Sequence, residues 1–123
     1  MAESRAMTHH NQIVAGYGER LAGRYLVSQG LVILDRNWLT PRGELDLIAR
    51  DGPDVVFVEV KTRRSVRYGG PAEAVVPSKA RRVRRLALQW LASNDASYRN
   101  VRFDVVSILL SRPIAVQHLR GAF

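Results

Sequence analysis

The sequence predicts an α/β protein with a mixed central sheet flanked by helices, in the order αβββαβ with a short extra strand at the end. Three observations carry that prediction. Residues 12–28 and 79–93 place apolar side chains at helical spacing. Three runs rich in β-branched and aromatic residues lie between them, separated by turn residues. A fourth such run, 101–110, follows the second helix, so a helix connects two strands of one sheet.

In the first helix, 12–28, Val14, Tyr17, Leu21 and Tyr25 recur near the helical period, with Ala22 and Leu26 beside them, and Gly30 is the stop. Gly16, Gly18 and Gly23 each cost about 1 kcal/mol of helix propensity relative to Ala, which points to close packing against a neighbour. LVILDRNWL (31–39) reads as a strand and Thr40-Pro41-Arg42-Gly43 as a turn. ELDLIAR (44–50) is the second strand, Asp51-Gly52-Pro53-Asp54 a turn, and VVFVEVK (55–61) a central third strand. Residues 63–77 read as a basic loop containing Gly and Pro, with a short turn at Ala72–Val75. Ser78 is the expected N-cap of the second helix, whose apolar stripe is Ala80, Val83, Ala87, Trp90 and Leu91. A polar loop, 94–100, leads to the fourth strand, and residues 114–119 form a short fifth. Trp38 and Trp90 are expected in the core, and Asp104 in a buried polar contact that supports the fold.

Residues 1–11 read as a flexible tail, His9 and His10 included, and 12–123 as a single domain. The chain of 123 residues has no cysteine, which excludes disulfides, thiol catalysis and Cys-ligated metals. No run approaches the roughly 18 apolar residues of a membrane span, and the start has no signal-peptide pattern, so the expectation is a cytoplasmic protein. Formal net charge is +8, but unevenly placed. Residues 1–62 carry 7 basic and 8 acidic side chains; residues 63–123 carry 12 and 3. Such asymmetry points to a polyanionic partner.

The segment GELDLIARDGPDVVFVEVKTR (43–63) holds the chemistry. If the second and third strands pair about Gly52-Pro53, Ile48 faces Phe57, Asp46 faces Glu59 and Glu44 faces Lys61, all on one face. Two carboxylates directly opposite each other destabilise a sheet. A divalent cation would reverse that: the oxygens of Asp46 and Glu59 with the carbonyl of Val60 make a hard-oxygen site suited to Mg²⁺. Lys61 could orient or deprotonate an attacking water, or stabilise charge on a phosphate. The alternative is a polar stripe on an exposed face, with Glu44–Lys61 an ordinary cross-strand ion pair.

At these residues the chain resembles the PD-(D/E)xK nuclease superfamily and, within it, the small bacterial YraN-like family. The matching residues are Gly18-Glu19, Ala22 and Tyr25-Leu26, Gly30, Arg36-Asn37, Gly43-Glu44-Leu45-Asp46-Leu47-Ile48, Val56-Phe57-Val58-Glu59-Val60-Lys61-Thr62-Arg63, Gly69, Lys79 and Phe103-Asp104. Leu45 stands where the superfamily's name puts proline. The resemblance implies a restriction-endonuclease-like core, Mg²⁺ or Mn²⁺ as cofactor, Asp46 and Glu59 as metal-binding acids, Lys61 as the catalytic lysine and Glu19 as a helix carboxylate added to the metal shell. Glu44 is expected to complete that shell.

Nucleic acid, DNA more than RNA, is the expected partner. Lys79, Arg81, Arg82, Arg84 and Arg85 crowd the start of the second helix, and Arg63, Arg64, Arg67 and Tyr68 leave the third strand. Arginines track phosphates, Tyr68 could stack on a base, and Lys79 is the expected phosphate contact nearest the site. The leading reading is a metal-dependent endonuclease acting on DNA, with branched or structured DNA one candidate substrate. Such a substrate would call for a homodimer, of which no seam is legible. The rivals are a non-catalytic nucleic-acid-binding module and a protein-interaction scaffold.

Overall fold

The computed structural model describes residues 9–64, 75–94, 98 and 100–123. The order is α1 (His9–Ser28), β1 (Val32–Thr40), β2 (Gly43–Asp51), β3 (Asp54–Arg63), α2 (Pro77–Asn94), β4 (Asn100–Leu109) and β5 (Ala115–Leu119). The strands form one sheet in the order β1-β2-β3-β4-β5. Among the described strands only β3 and β4 pair in parallel, because α2 carries the chain between them; the other pairs are antiparallel. The predicted mixed sheet flanked by helices is the observed architecture.

β3 is central because its side chains suit burial on both faces. Val56 and Val58 pack with Ala22, Leu26 and Leu47 under α1. Val55 and Phe57 pack with Val83, Leu86 and Trp90 under α2. The two helices therefore cover opposite faces of the sheet. Trp90 is buried at 2% exposure, edge-on to Phe57, and its indole N–H donates to Asp35 Oδ2 at 3.1 Å. Trp38 packs against the same cluster.

The glycines of α1 do different things. Gly18 and Gly23 lie on its buried seam with Ala22 and Leu26. A Cβ on Gly18 would lie 2.8 Å from Thr62 Cβ, and one on Gly23 would press on the Arg36 guanidinium. Gly16 meets only the side chain of Arg20 on its own helix, so the expectation of close packing fails there. Gly30, at φ +93°, ends the helix: its N–H reaches Val27 O and that of Leu31 reaches Leu26 O, both at 3.0 Å.

Two local readings change. α1 begins at His9, so the expected tail of residues 1–11 overlaps its first turn, and His10 touches the Arg64 side chain. α2 starts at Pro77, with Ala80 N donating to Val76 O, so Ser78 lies inside the first turn and is not the N-cap. Proline suits that first position because its lacking N–H would have had no helical partner. Of the turn expected at Ala72–Val75, residues 72–74 lie outside the described residues.

Asp104 is fully buried, as the expected structural contact requires. Its carboxylate accepts from Arg102 Nε and Nη2 at 2.9 and 3.0 Å and from the Gly121 N–H at 2.9 Å, and it pairs with His118 Nε2 at 2.7 Å. Burial pushes its proton affinity up, but these partners prevail and hold its pKa below the ordinary value. The network ties β5 and the C-terminal residues to β4.

Candidate active site

The hairpin register predicted from the turn holds through its inner half: Leu47 pairs with Val58, Ile48 with Phe57 and Asp51 with Asp54. It does not extend to Asp46–Glu59 or Glu44–Lys61. Beyond Leu47 the Asp46 side chain takes over, its Oδ2 accepting the Val60 N–H at 2.9 Å. The expected single face is also broken. Leu45 packs under α2 and Leu47 under α1, so Leu45 and Ile48 share a face that strict alternation would not give them. Among the described residues Glu44 and Lys61 form no ion pair; Glu44 is exposed and lies near Glu19 instead.

This divergence opens the end of the sheet into a polar site. Glu59 points to the α2 side and is 7% exposed. The first turn of α2 brings Lys79 over it, and Lys79 Nζ forms an ion pair with Glu59 Oε2. Lys79, expected as a phosphate contact, is thus turned inward to a carboxylate. α1 supplies Glu19 from the other side. The charges of Glu44 and Glu59 act on Glu19 there, and those of Glu59 and Glu19 act on Asp46.

The electrostatics follow from Asp46, Glu59, Glu19 and Glu44 lying close to Lys79 and Lys61. Burial, then the charge of Glu59, pushes the Asp46 pKa up to about 8, although the Val60 N–H and Lys79 oppose the rise. Glu19 is raised for the same reasons, burial first and then Glu44 and Glu59. Lys61 is lowered by burial and by the neighbouring Lys79. Two acids with raised proton affinity beside a lysine with lowered proton affinity mark a candidate functional site.

Asn37 is part of this site and carries no sequence signal beyond the resemblance. It lies in β1 at φ +49°, between Arg36, which pairs with Leu47, and Trp38, which pairs with Leu45. That register sets it opposite Asp46. Its side chain hydrogen-bonds Glu19. Asparagine is among the few residues that tolerate this left-handed conformation.

The residues fit a hard divalent cation in part. Among the described residues no three Asp, Glu or His side chains converge as a ready cage. Asp46 and Glu59 are adjacent acidic donors, and a hollow of about 230 Å³ lies between Glu19, Val60 and Thr62. Mg²⁺ suits such a set, because it takes one or two carboxylates and keeps water and phosphate oxygens as its other ligands. Burial first, and then the charge of Glu59, raises the Asp46 pKa, so without an added cation this acid tends to hold its proton.

The remaining predicted residues divide by position. Arg81, Arg82 and Arg85 are exposed on α2, and Arg84 lies over the Phe103 ring at 5.7 Å. Arg63 ends β3, and Arg64 contacts His10 of α1. Arg67 and Tyr68 lie outside the described residues.

A five-stranded mixed sheet between two helices, with paired acids where the central hairpin diverges, defines an α/β protein consistent with a restriction-endonuclease-like core. A sequence profile described as uncharacterised protein family UPF0102 matches residues 18–108, from the Gly18-Glu19 pair to Ile108 in β4. The chain belongs to that family. UPF0102 proteins of Beutenbergia cavernae and Frankia alni are each 56% identical to it, over 88% and 87% of this chain and 93% and 91% of theirs. One of Rhodococcus opacus is 50% identical over 93% of this chain and 98% of its own. No helix among the described residues is long and apolar enough to cross a membrane.

Proposed function

We propose that the protein is a metal-dependent endonuclease that hydrolyses phosphodiester bonds in DNA. The observation that carries this reading is the Asp46–Glu59 pair on adjacent strands, with Lys61 two residues along β3 and its proton affinity depressed. Asp46, Glu59 and the Val60 carbonyl would hold Mg²⁺ or Mn²⁺, with Glu19 and Glu44 completing the shell. When bound, the ion supplies Lewis acidity toward the phosphate and lowers the pKa of water.

The chain's own groups do the rest. Asp46 is fixed by the Val60 N–H, so its carboxylate cannot swing away. Lys61 is set by β3 on the strand that carries Glu59. Neutral, it can take the proton of the attacking water as the water oxygen bonds to phosphorus and the P–O bond breaks. Protonated, it faces the charge growing on the phosphate. Its lowered pKa favours the first role.

One observation favours the second reading, a non-catalytic nucleic-acid-binding module. The Lys79–Glu59 ion pair already neutralises one acid without a metal. Labelled single-stranded, duplex, flap and four-way-junction DNA, incubated with EDTA, Mg²⁺ or Mn²⁺, separates the two. The nuclease cuts only with metal, Asp46→Ala stops the reaction while DNA is still bound, and Lys61→Ala slows it about 100-fold or more, the usual scale of a lost acid–base group. Binding without cleavage under every metal condition would establish the module instead.

A further inference from the structure

α2 turns most of its arginines away from the carboxylates, toward a second feature. Arg81, Arg82 and Arg85 meet Arg42, which arrives from the β1–β2 turn. With Ser78, Leu86 and Gln89 they line one cleft of about 410 Å³. Among the described residues none of these four arginines is ion-paired. Four guanidinium groups gathered around one hollow repel one another, and folding alone supplies no reason to collect them. Arg84, on the same helix, is used differently, over the Phe103 ring.

The cleft begins where the carboxylate site ends. Gly43, at the start of β2, lies against Leu86 and Arg82: a Cβ there would be 3.4 Å from Leu86 Cδ1 and 3.6 Å from Arg82 Cδ. Asp46 is three residues further along the same strand, roughly 10 Å at a rise of about 3.3 Å per residue. One turn before Arg82, Lys79 reaches Glu59. The cleft is larger than a single phosphate requires. Its donors are planar and forked, the geometry that recognises phosphate oxygens.

We propose that the Arg42–Arg81–Arg82–Arg85 cleft is an anion site for the phosphates of a nucleic-acid strand, holding the stretch beside the bond presented to Asp46 and Glu59. It rests on the reading of nucleic acid as the partner, but not on cleavage. It brings in Arg42, a turn residue remote in sequence from the basic helix, and it leaves out Arg84. The phosphates could be internal diesters or a terminal monoester, and the chemistry of recognition is shared.

The test is fluorescence anisotropy of labelled DNA in EDTA across a range of salt, with 5′-phosphorylated and 5′-hydroxyl strands. Arg42→Gln, Arg85→Gln, the double variant and Arg84→Gln would be compared with the unaltered protein, folding being checked by circular dichroism. The double variant is expected to bind at least tenfold more weakly. Its slope of log K against log salt should flatten by about 2 on duplex DNA, since each phosphate contact contributes about 0.9. Arg84→Gln should change affinity less than twofold. A preference for the 5′-phosphate that the double variant loses would assign the cleft to strand ends; equal binding of the two strands would assign it to internal phosphates.

The cleft is refuted if the double variant binds like the unaltered protein, if Arg84→Gln weakens binding as much as Arg42→Gln, or if the unaltered protein binds no DNA. Binding through the cleft with no cleavage under any metal would sink the nuclease and keep the cleft. Metal-dependent cleavage with the double variant fully active would do the reverse.

Discussion

Asn37 shows how much a single residue decides here. Its left-handed backbone costs a side chain with a Cβ roughly 1–2 kcal/mol, and its amide spends that strain on a hydrogen bond to Glu19. The two roles are separable. Asn37→Gly keeps the conformation and removes the hydrogen bond, so it should stay within about 0.5 kcal/mol of the parent on denaturant unfolding while cleavage by the metal-loaded protein falls. Asn37→Ala should lose both stability and activity. If the glycine variant cleaves normally, Asn37 serves the backbone alone. Asp46 teaches the complementary lesson. Sequence spacing found it and placed it across from Glu59, but could not foresee that its side chain would end the ladder by capturing the Val60 N–H. That choice goes with the break in alternation that puts Leu45 and Ile48 on one face, which periodicity does not encode.

Among the elements, α1 is the most exacting, because it lies so close to β3 that only glycine fits at position 18. Gly18→Ala should destabilise the fold by about 1–3 kcal/mol, the usual cost of overpacking. Thr62→Ala in the same chain should restore part of that, since it removes the hydroxyl and methyl that the new Cβ meets and leaves only Cβ against Cβ. Additive losses in thermal unfolding would mean the two residues do not touch. The sequence announced close packing through three glycines and was right about two. Gly16 faces solvent and its own helix, a distinction that lies in the rotation of α1 against the sheet. The stripe shows the same limit: Tyr17, at the helical period, is 40% exposed, whereas Gly18, Ala22 and Leu26 form the seam.

Across the whole molecule, the carboxylate cluster links stability to pH and to cations. The folded Asp46 titrates near 8, against an ordinary value of 3.8. Below pH 4 both folded and unfolded chains hold that proton, and it contributes nothing. Between about 4 and 8 the unfolded chain releases the proton while the folded chain keeps it, so the metal-free protein should lose stability as pH rises through this window and level off above it. Asp104 acts in the opposite sense, since its lowered pKa adds stability that disappears only in acid. In EDTA, then, Tm should fall from pH 5 to 8, and Asp46→Asn should flatten the fall. Mg²⁺, which binds the ionised acids, should raise Tm more at pH 8.5 than at pH 5.5. A Tm independent of pH, identical in the Asn variant, would show that Asp46 ionises freely.

The sequence by itself determined the element order, the central β3, the turn that sets the inner hairpin register and the acids and lysine of the candidate site. These depend on local signals: period, β-branching, turn residues and short motifs read along the chain. The tertiary structure decided what depends on elements meeting. It alone put Asn37 beside Glu19, turned Lys79 onto Glu59, broke the hairpin at Asp46 and joined Arg42 to the arginines of α2. The physical reason is that burial and the mutual field of charges are properties of a point in space, and residues far apart in the chain reach that point only once the sheet twists and the helices dock on its two faces.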